Sequence, residues 1–131
     1  MIALVTASRE PVLRRAWVGD GAHTCAVGAC RPDQREMDTA VVRDARVFVD
    51  SRTGALAEAG DLVIPIKEGA IDGSHIAGEL GDVFGGRVAG RQSAAEITVF
   101  KSLGMAVEDV AAAHLAFERA SERGLGRGFV L

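Results

Sequence analysis

Short apolar runs that alternate with helical segments constrain the fold of this chain more than any other feature. Residues 2–6 (IALVT) form a continuous apolar run, which is typical of a strand covered on both faces. Further strands are predicted at residues 22–28, 46–50 and 97–100, the last because β-branched and aromatic side chains alternate there. Strands that alternate with helices favour parallel βα units, so the sequence predicts an α/β fold built on a parallel sheet.

Helical segments are predicted between and after these strands. They are a short helix over residues 38–44, a helical turn over 54–59 that Gly60 and Asp61 end, a helix over 75–84 and a long helix over 106–123. The long helix has an apolar stripe, which has to face an apolar surface. This stripe consists of Val107, Val110, His114 and Phe117.

Composition and charge exclude several classes of protein. The chain has 131 residues, the size of one domain, with 48% hydrophobic residues and a net charge of −3. Its basic residues are interspersed with acids, so no stripe of positive charge can neutralise a run of phosphates, and no nucleic-acid partner is expected. No apolar run approaches the roughly 18 residues of a membrane span. The first residues lack the features of a signal peptide, so a cytoplasmic protein without a membrane partner is expected.

The cysteines and histidines do not have the spacing of a metal site. Cys25 and Cys30 have no second pair that would complete a zinc site or a disulfide framework, so both are expected to be buried, reduced thiols. The histidines His23, His75 and His114 are scattered, without the spacing that puts two imidazoles on one helical face. No metal is therefore expected.

Ligand-binding residues are predicted at the ends of the strands. The sequence contains neither G-x-G-x-x-G nor G-x-x-x-x-G-K-[ST], so it has no phosphate-binding loop of either kind. Small and polar residues instead follow the predicted strands, at 6–8, 27–30, 50–51 and 101–104. Loops at the carboxyl ends of parallel strands converge on one crevice, so a small-molecule site is predicted there. From the residues alone, Lys101 could help to bind an anionic ligand, but a solvated surface lysine explains it at least as well. Asp50 and Ser51 are explained equally well as a turn and a helix cap.

Blocks of this sequence resemble the ornithine cyclodeaminase/mu-crystallin family in order and spacing, from Leu4 to about Arg119. The blocks are residues 5–12 (VTASREPV), 26–38 (AVGACRPDQREMD), 47–51 (VFVDS), 55–62 (ALAEAGDL), 78–81 (GELG) and 98–109 (TVFKSLGMAVED). The resemblance implies the C-terminal portion of an NAD(P)H-dependent oxidoreductase that acts on an imine, a ketimine or an amino acid. The family's glycine fingerprint and its substrate-binding Arg and Lys lie in an amino-terminal part that has no counterpart here.

The same resemblance implies how the chain is organised. Residues 1–104 would be the C-terminal part of a Rossmann-type NAD(P)-binding domain. Residues 105–123 would form a C-terminal helix that returns to the substrate and dimerisation domain, and residues 124–131 a flexible tail. The full-length family is expected to form homodimers with a small-molecule substrate, an amino acid or a cyclic imine.

The resemblance also implies site residues. Thr6 would lie on the ribose side of the nicotinamide, Val27 and Gly28 would pass their backbone along the ring, and a closing loop would cover it. That loop consists of Ser102, Leu103 and Gly104.

No catalytic residue is assigned, because Cys30 occupies the position where cyclodeaminases carry an Asp that can act as a base. A thiol with an ordinary pKa of about 8.5 is a poor substitute for a carboxylate as a base. Imine or ketimine reduction therefore fits better than ornithine cyclisation. Cys30 is equally well explained as a small filler.

Two functions remain open at this level. With half of a cofactor site, the chain is expected to bind NAD(P)H very weakly and to be inactive by itself. The alternative is a truncated, non-catalytic binding or assembly module, which the position of Met1 close to the first strand and an exposed apolar sheet edge would favour.

Overall fold

A five-stranded parallel sheet forms the centre of the computed structural model, which describes residues 1–129. The strands are β1 (Ile2–Leu4), β2 (His23–Ala26), β3 (Arg46–Val49), β4 (Ile76–Glu79) and β5 (Thr98–Lys101). Their order is β1-β2-β5-β3-β4, and all neighbouring strands are parallel. The prediction of an α/β fold with a parallel sheet is confirmed.

The connections between the strands lie on both faces of the sheet. The helices are α1 (Thr39–Asp44), α2 (Arg52–Glu58), α3 (Gly60–Lys67), α4 (Leu80–Phe84) and α5 (Ala106–Glu122). The chain crosses the sheet in one direction from β1 to β4 and then returns, so that β5 lies between β2 and β3. Because crossovers are right-handed, forward connections lie on one face and the returning connection on the other. Accordingly α3 contacts both α1 and α2, while α4 contacts β4.

The hydrophobic core lies between the sheet and the first three helices. The register pairs Val47 with Val99 and Val49 with Lys101, so these side chains share one face. The three valines are fully buried, as are Val41 of α1 and Leu62 of α3. Since each fully buried aliphatic side chain contributes about 1.5–3 kcal/mol, this layer is the main source of stability in the described chain.

The sequence analysis did not predict helix α3 or strand β4. Gly60 and Asp61, predicted to end a helix, instead begin α3, and Gly60 packs so closely on a distant segment that a Cβ there would overlap the Gln34 carbonyl oxygen. The predicted helix over residues 75–84 is a strand followed by α4. Gly78 lies inside this strand, where its Cα packs against Val88, and a glycine in a strand commonly marks such a close approach.

The apolar stripe of α5 contacts no apolar surface within residues 1–129. Val107, Val110 and Phe117 are 67%, 68% and 71% exposed. His114 is also exposed, and its Nε2 lies 3.4 Å from Oε1 of Glu118. The described residues thus offer no apolar partner for this stripe, and its packing on an apolar surface stays a prediction. Of the predicted tail, residues 124–129 form no helix or strand, and residues 130 and 131 lie outside the described part.

Asp38 is expected to be a stabilising helix cap. Its Oδ1 accepts from the Val41 amide of α1 at 2.8 Å, and its Oδ2 accepts from the Arg15 amide at 3.0 Å. We expect Asp38→Ala to lower the free energy of unfolding by about 1–2 kcal/mol, because it removes the cap and leaves two amides without this acceptor. Urea denaturation measures the loss. Asp20→Ala, which truncates an exposed aspartate, should change stability by less than about 0.5 kcal/mol.

Candidate functional site

The carboxyl ends of β1 and β2 lie side by side at one edge of the sheet. The amides of Val27 and Gly28 donate to the Leu4 carbonyl at 2.9 and 3.2 Å. One residue further along, the Ala29 amide donates to the Thr6 carbonyl at 3.0 Å. The structure therefore brings together Thr6, Val27 and Gly28, which the sequence assigned to one site.

The loop that follows β5 joins the same edge. The Ser102 amide donates to the Ala26 carbonyl at the end of β2, at 3.0 Å. The carboxylate of Asp50, at the end of β3, accepts from the amides of Leu103 and Gly104 at 2.6 and 2.7 Å and from the Ser102 hydroxyl at 3.1 Å. A single carboxylate thus fixes Ser102, Leu103 and Gly104, the other residues that the sequence assigned to the site.

The hydrogen bonds to Asp50 also set its ionisation. Burial by itself raises the pKa of this carboxyl, but the Gly104, Leu103 and Ser51 amides and the Ser102 hydroxyl outweigh burial and hold the pKa below its ordinary value. A carboxylate with a lowered folded-state pKa contributes stability that is present above its unfolded pKa of about 3.9. That contribution disappears as the pH falls through the folded-state pKa.

Asp50→Asn is expected to lower stability at pH 7 by about 1–3 kcal/mol, because one acceptor oxygen becomes a donor that faces amide donors. The stability of the unchanged chain should fall below about pH 4, and the variant should lose less over the same range. Urea unfolding from pH 7 to pH 2 measures both effects. If the free energy of unfolding of Asp50→Asn falls with acid as steeply as that of the unchanged chain, Asp50 contributes nothing to the pH dependence. The control Asp20→Asn, at an exposed site, should show the pH dependence of the unchanged chain.

Gly28 is in close contact with the residues beneath it. A Cβ there would overlap the Thr6 carbonyl oxygen and would lie 2.5 Å from both carboxylate oxygens of Glu36. The next residue, Ala29, is buried with a φ of 52°, in the left-handed region that non-glycine residues seldom adopt. Unfavourable backbone conformations of this kind are concentrated at functional sites, where surrounding contacts hold them in place.

Glu36, Asp61 and Lys101 are fully buried directly beneath this edge. The Lys101 ammonium donates to the Gly28 carbonyl and lies 3.6 Å from Oδ2 of Asp61, and Oε1 of Glu36 accepts from the Thr6 amide. The interpretation of Lys101 as a solvated side chain is therefore wrong. Period-2 alternation in β5 would have revealed its burial, because Lys101 shares a face with Val99. Nothing comparable in the sequence marked Glu36 or Asp61 as site residues.

The three charged side chains have different environments. Burial raises the pKa of Asp61, while the amide of Met37 and the ammonium of Lys101 act in the opposite sense without cancelling it. Oδ2 of Asp61 and Oε2 of Glu36 find no hydrogen-bond partner among residues 1–129. Two carboxyl groups and one lysine are therefore buried together beneath the edge.

Both cysteines are free thiols with some exposure. Cys30 is exposed, and its thiol donates to the Val27 carbonyl at 3.2 Å. Cys25 is half-buried beside His23, with Sγ 3.5 Å from Nε2. The expectation of two buried thiols is wrong, and Cys30 does not fill space in the core. It lies at the site edge, between Ala29 and Arg31.

The carboxyl end of the sheet has exposed residues and open space beside its loops. Thr6 is exposed and Val27 is 48% exposed, so both can contact a ligand. Gly104 has a φ of 83°, and a Cβ there would meet no atom within 4 Å, so the space beside the β5 loop is open. A cavity of about 250 Å³ lies next to this loop, lined by Asp50, Leu103 and Gly104 among others. Small residues with an open backbone suit close approach of a ring.

Neither a metal cluster nor a membrane helix is found in the part of the chain that the structure describes. No group of at least three His, Cys, Asp or Glu side chains there could hold a metal ion. None of its helices is both long and apolar enough to span a membrane.

Comparison with known proteins identifies relatives of this arrangement. The chain is 43% identical over 127 residues to the Delta(1)-pyrroline-2-carboxylate reductase of Bacillus cereus, covering 96% of this chain and 39% of that protein. It is 47% identical over 118 residues to the ketimine reductase mu-crystallin of Mus musculus, covering 90% of this chain and 35% of that protein.

A solved structure shares the fold. The Delta(1)-pyrroline-2-carboxylate reductase of Thermococcus litoralis, in complex with NADH and L-proline, matches with a TM-score of 0.89 and 44% identity, covering 97% of this chain and 39% of that one. This chain therefore has the Rossmann-like fold of a family of NAD(P)-dependent oxidoreductases and spans little more than a third of the length of these relatives. The model of the ornithine cyclodeaminase/mu-crystallin family matches residues 1–124, and the chain belongs to that family.

Proposed function

We propose that this chain is the C-terminal portion of an NAD(P)H-dependent oxidoreductase that reduces an imine or ketimine, or acts on the corresponding amino acid. In this proposal residues 1–104 supply the nicotinamide side of the cofactor site. The observation that carries the proposal is the convergence of Thr6, Val27–Gly28 and 102–104 at one sheet edge. In open α/β sheets, ligands bind in the crevice at the carboxyl ends of the strands.

Each of these residues has a distinct task in the proposed site. Thr6 faces the ribose next to the nicotinamide, and the Val27–Gly28 backbone runs along one face of the ring. Ser102, Leu103 and Gly104, fixed by Asp50, close over the ring and exclude water. When bound, the cofactor supplies a hydride to a carbon that is double-bonded to nitrogen. The chain orients the ring for that transfer and needs no covalent step of its own.

Cys30 favours imine reduction over cyclodeamination. By resemblance to the family, its position is that of the Asp that can act as a base in cyclodeaminases. A thiol that already donates to the Val27 carbonyl is a weak base, whereas reduction of a protonated imine requires no base there. The relatives named as Delta(1)-pyrroline-2-carboxylate reductase and ketimine reductase agree with this assignment.

The rest of the site is proposed to come from protein that this sequence does not include. The pyrophosphate of a dinucleotide needs a helix amino-terminus and backbone donors, and the fingerprint that supplies them is absent from the sequence. The unpaired edge of β1 and the exposed stripe of α5 are surfaces that such protein would cover. We place α5 against the substrate and dimerisation domain of a homodimer.

A chimera tests the proposed function. Residues 1–124 replace the matching segment of the Bacillus cereus reductase, and NADH- and NADPH-dependent reduction of Delta(1)-pyrroline-2-carboxylate is followed at 340 nm. We expect turnover by the chimera and none by this chain alone. The same chimera with Gly28→Ala is the negative control. A folded chimera that binds NADH without reducing the imine would refute the reaction class, and one that binds neither cofactor would refute the cofactor site.

The second candidate, a non-catalytic binding or assembly module, is favoured by the unpaired apolar stripe of α5. Fluorescence titration of NADPH against the purified chain separates the two. Saturable enhancement supports a surviving half-site. A flat response up to millimolar protein, together with an inactive chimera, would leave the module as the better description.

A further inference from the structure

Three charged side chains with no solvent exposure lie under the proposed nicotinamide loop. Glu36, Asp61 and Lys101 are each 0% exposed. Removing an ion from water costs several kcal/mol even after the protein relaxes, and well-packed apolar residues commonly replace a buried ion pair without loss of stability. A charged cluster at this place is therefore poorly explained by stability alone.

Each end of the cluster holds a backbone atom of the loops at the sheet edge. The Lys101 ammonium donates to the carbonyl of Gly28. Oε1 of Glu36 accepts from the amide of Thr6. These two backbone atoms belong to the two neighbouring strand ends that the family resemblance assigns to the cofactor site, so the cluster acts on the site through the main chain.

Asp61 fixes the two other members of the cluster. Its Oδ1 accepts from the amides of Glu36 and Met37 at 2.7 and 2.9 Å, which sets the position of the Glu36 backbone. Its Oδ2 lies 3.6 Å from the Lys101 ammonium. Asp61 is the second residue of α3, so the cluster connects the loops at the sheet edge to the helix layer beneath them.

The loop that contains Gly28 contacts the charged cluster so closely that it has no room to move toward Glu36. A Cβ at Gly28 would lie 2.5 Å from both carboxylate oxygens of Glu36, so the loop rests directly on that carboxylate. Ala29 is held at a φ of 52°, which an unsupported alanine would leave. A charged group that accepts or donates a hydrogen bond in a buried place holds its partner more strongly than a neutral group does.

We propose that Lys101 and Glu36 are positioning residues, which hold the Gly28 carbonyl and the Thr6 amide so that the loops at the sheet edge are preorganised for the nicotinamide, with Asp61 as their common anchor. This inference rests on the proposed function for its ligand. The structural part of the inference is that Lys101 and Glu36 fix the Gly28 carbonyl and the Thr6 amide. That part does not depend on any ligand.

Glu36 is tested with a pair of variants of the full chain. Glu36→Met removes the acceptor of the Thr6 amide and one of two buried negative charges, so the fold is expected to survive. Glu36→Gln keeps an oxygen that can accept from the same amide. In ¹H–¹⁵N spectra, we expect Glu36→Met to move the Thr6 and Ala29 amide signals and to weaken NADH binding by roughly tenfold to a hundredfold. Glu36→Gln should restore most of both.

Lys101 is tested by removing the opposite charges together. The double variant Lys101→Met/Asp61→Asn leaves no uncompensated ion between these positions, and Asn keeps an oxygen for the Glu36 and Met37 amides. Unfolding in urea should show a stable protein, while NADH binding weakens roughly tenfold to a hundredfold. Lys67→Met, at the exposed lysine of α3, should alter neither property.

The outcomes separate the inference from the proposed function. If folded Glu36→Met keeps the Thr6 and Ala29 signals of the unchanged chain, the inference is overturned whatever the ligand. If the signals move but NADH binds equally well to the variants and the unchanged chain, the positioning role is also overturned. If the signals move, the unchanged chain does not respond to NADH and the chimera is inactive, the backbone role stands and the proposed function fails.

Discussion

Replacing Lys101 with methionine alone is expected to lower the free energy of unfolding by about 3–5 kcal/mol, because the buried carboxylate of Asp61 loses its cation. Lys101 and Asp61 are both fully buried, with 3.6 Å between Nζ and Oδ2. Methionine matches lysine in length, so the effect reports charge and hydrogen bonding instead of a cavity. Urea denaturation at pH 7 measures the loss.

The pH dependence of that loss gives a second check. Burial already raises the pKa of Asp61, so its ionised form costs stability above that pKa, and removal of the ammonium raises the pKa further. The loss of unfolding free energy in Lys101→Met should therefore become smaller as the pH falls and Asp61 becomes protonated. Lys67→Met should be neutral at every pH. A Lys101→Met variant as stable as the unchanged chain would show that the buried pair makes no net contribution.

Gly28→Ala is expected to cost about 3 kcal/mol, at the upper end of the usual range for overpacking, because the atoms around the new methyl group are main-chain and charged atoms with little freedom to move. The methyl group would overlap the Thr6 carbonyl oxygen and press on the Glu36 carboxylate. Relief requires the two strand ends to separate. We therefore expect this variant to lose cofactor binding as well as stability.

Gly19→Ala is the matched control for that substitution. A Cβ at Gly19 would meet no atom within 4 Å, and its φ lies outside the left-handed region. Thermal and urea unfolding should place Gly19→Ala within about 0.5 kcal/mol of the unchanged chain. Equal stability of the two alanine variants would contradict the close packing of the strand ends at Gly28.

Strand positions could be predicted from the sequence because fully buried strands leave a local signal. The runs around Ile2–Leu4, His23–Ala26, Arg46–Val49 and Thr98–Lys101 all became strands of the sheet. β4 was missed because its IAGE sequence has no β-branched alternation beyond Ile76, and its pairing with β3 is a long-range contact. Helix α3 was missed because Gly60 packs against the Gln34 carbonyl, which is distant in the sequence. A local sequence pattern does not show such a contact.

Only part of the candidate site could be predicted in the same way. Loops at the carboxyl ends of parallel strands must converge, so Thr6, Val27 and Ser102 followed from topology and from the family resemblance. The charged cluster beneath them could not be predicted from either. Glu36 ends a polar segment and Asp61 directly precedes the apolar run at residues 62–66. The burial of both depends on how α3 packs under the edge of the sheet.

The central claim is that this chain supplies the nicotinamide side of the site and none of the adenosine side. Titration of the ¹⁵N-labelled chain with reduced nicotinamide mononucleotide, and separately with AMP, tests it most directly. We expect the mononucleotide at millimolar concentration to shift the amides of Thr6, Gly28, Ser102 and Gly104, and AMP to leave them unchanged. Shifts by AMP at these amides, or by the mononucleotide only elsewhere in the chain, would contradict the account.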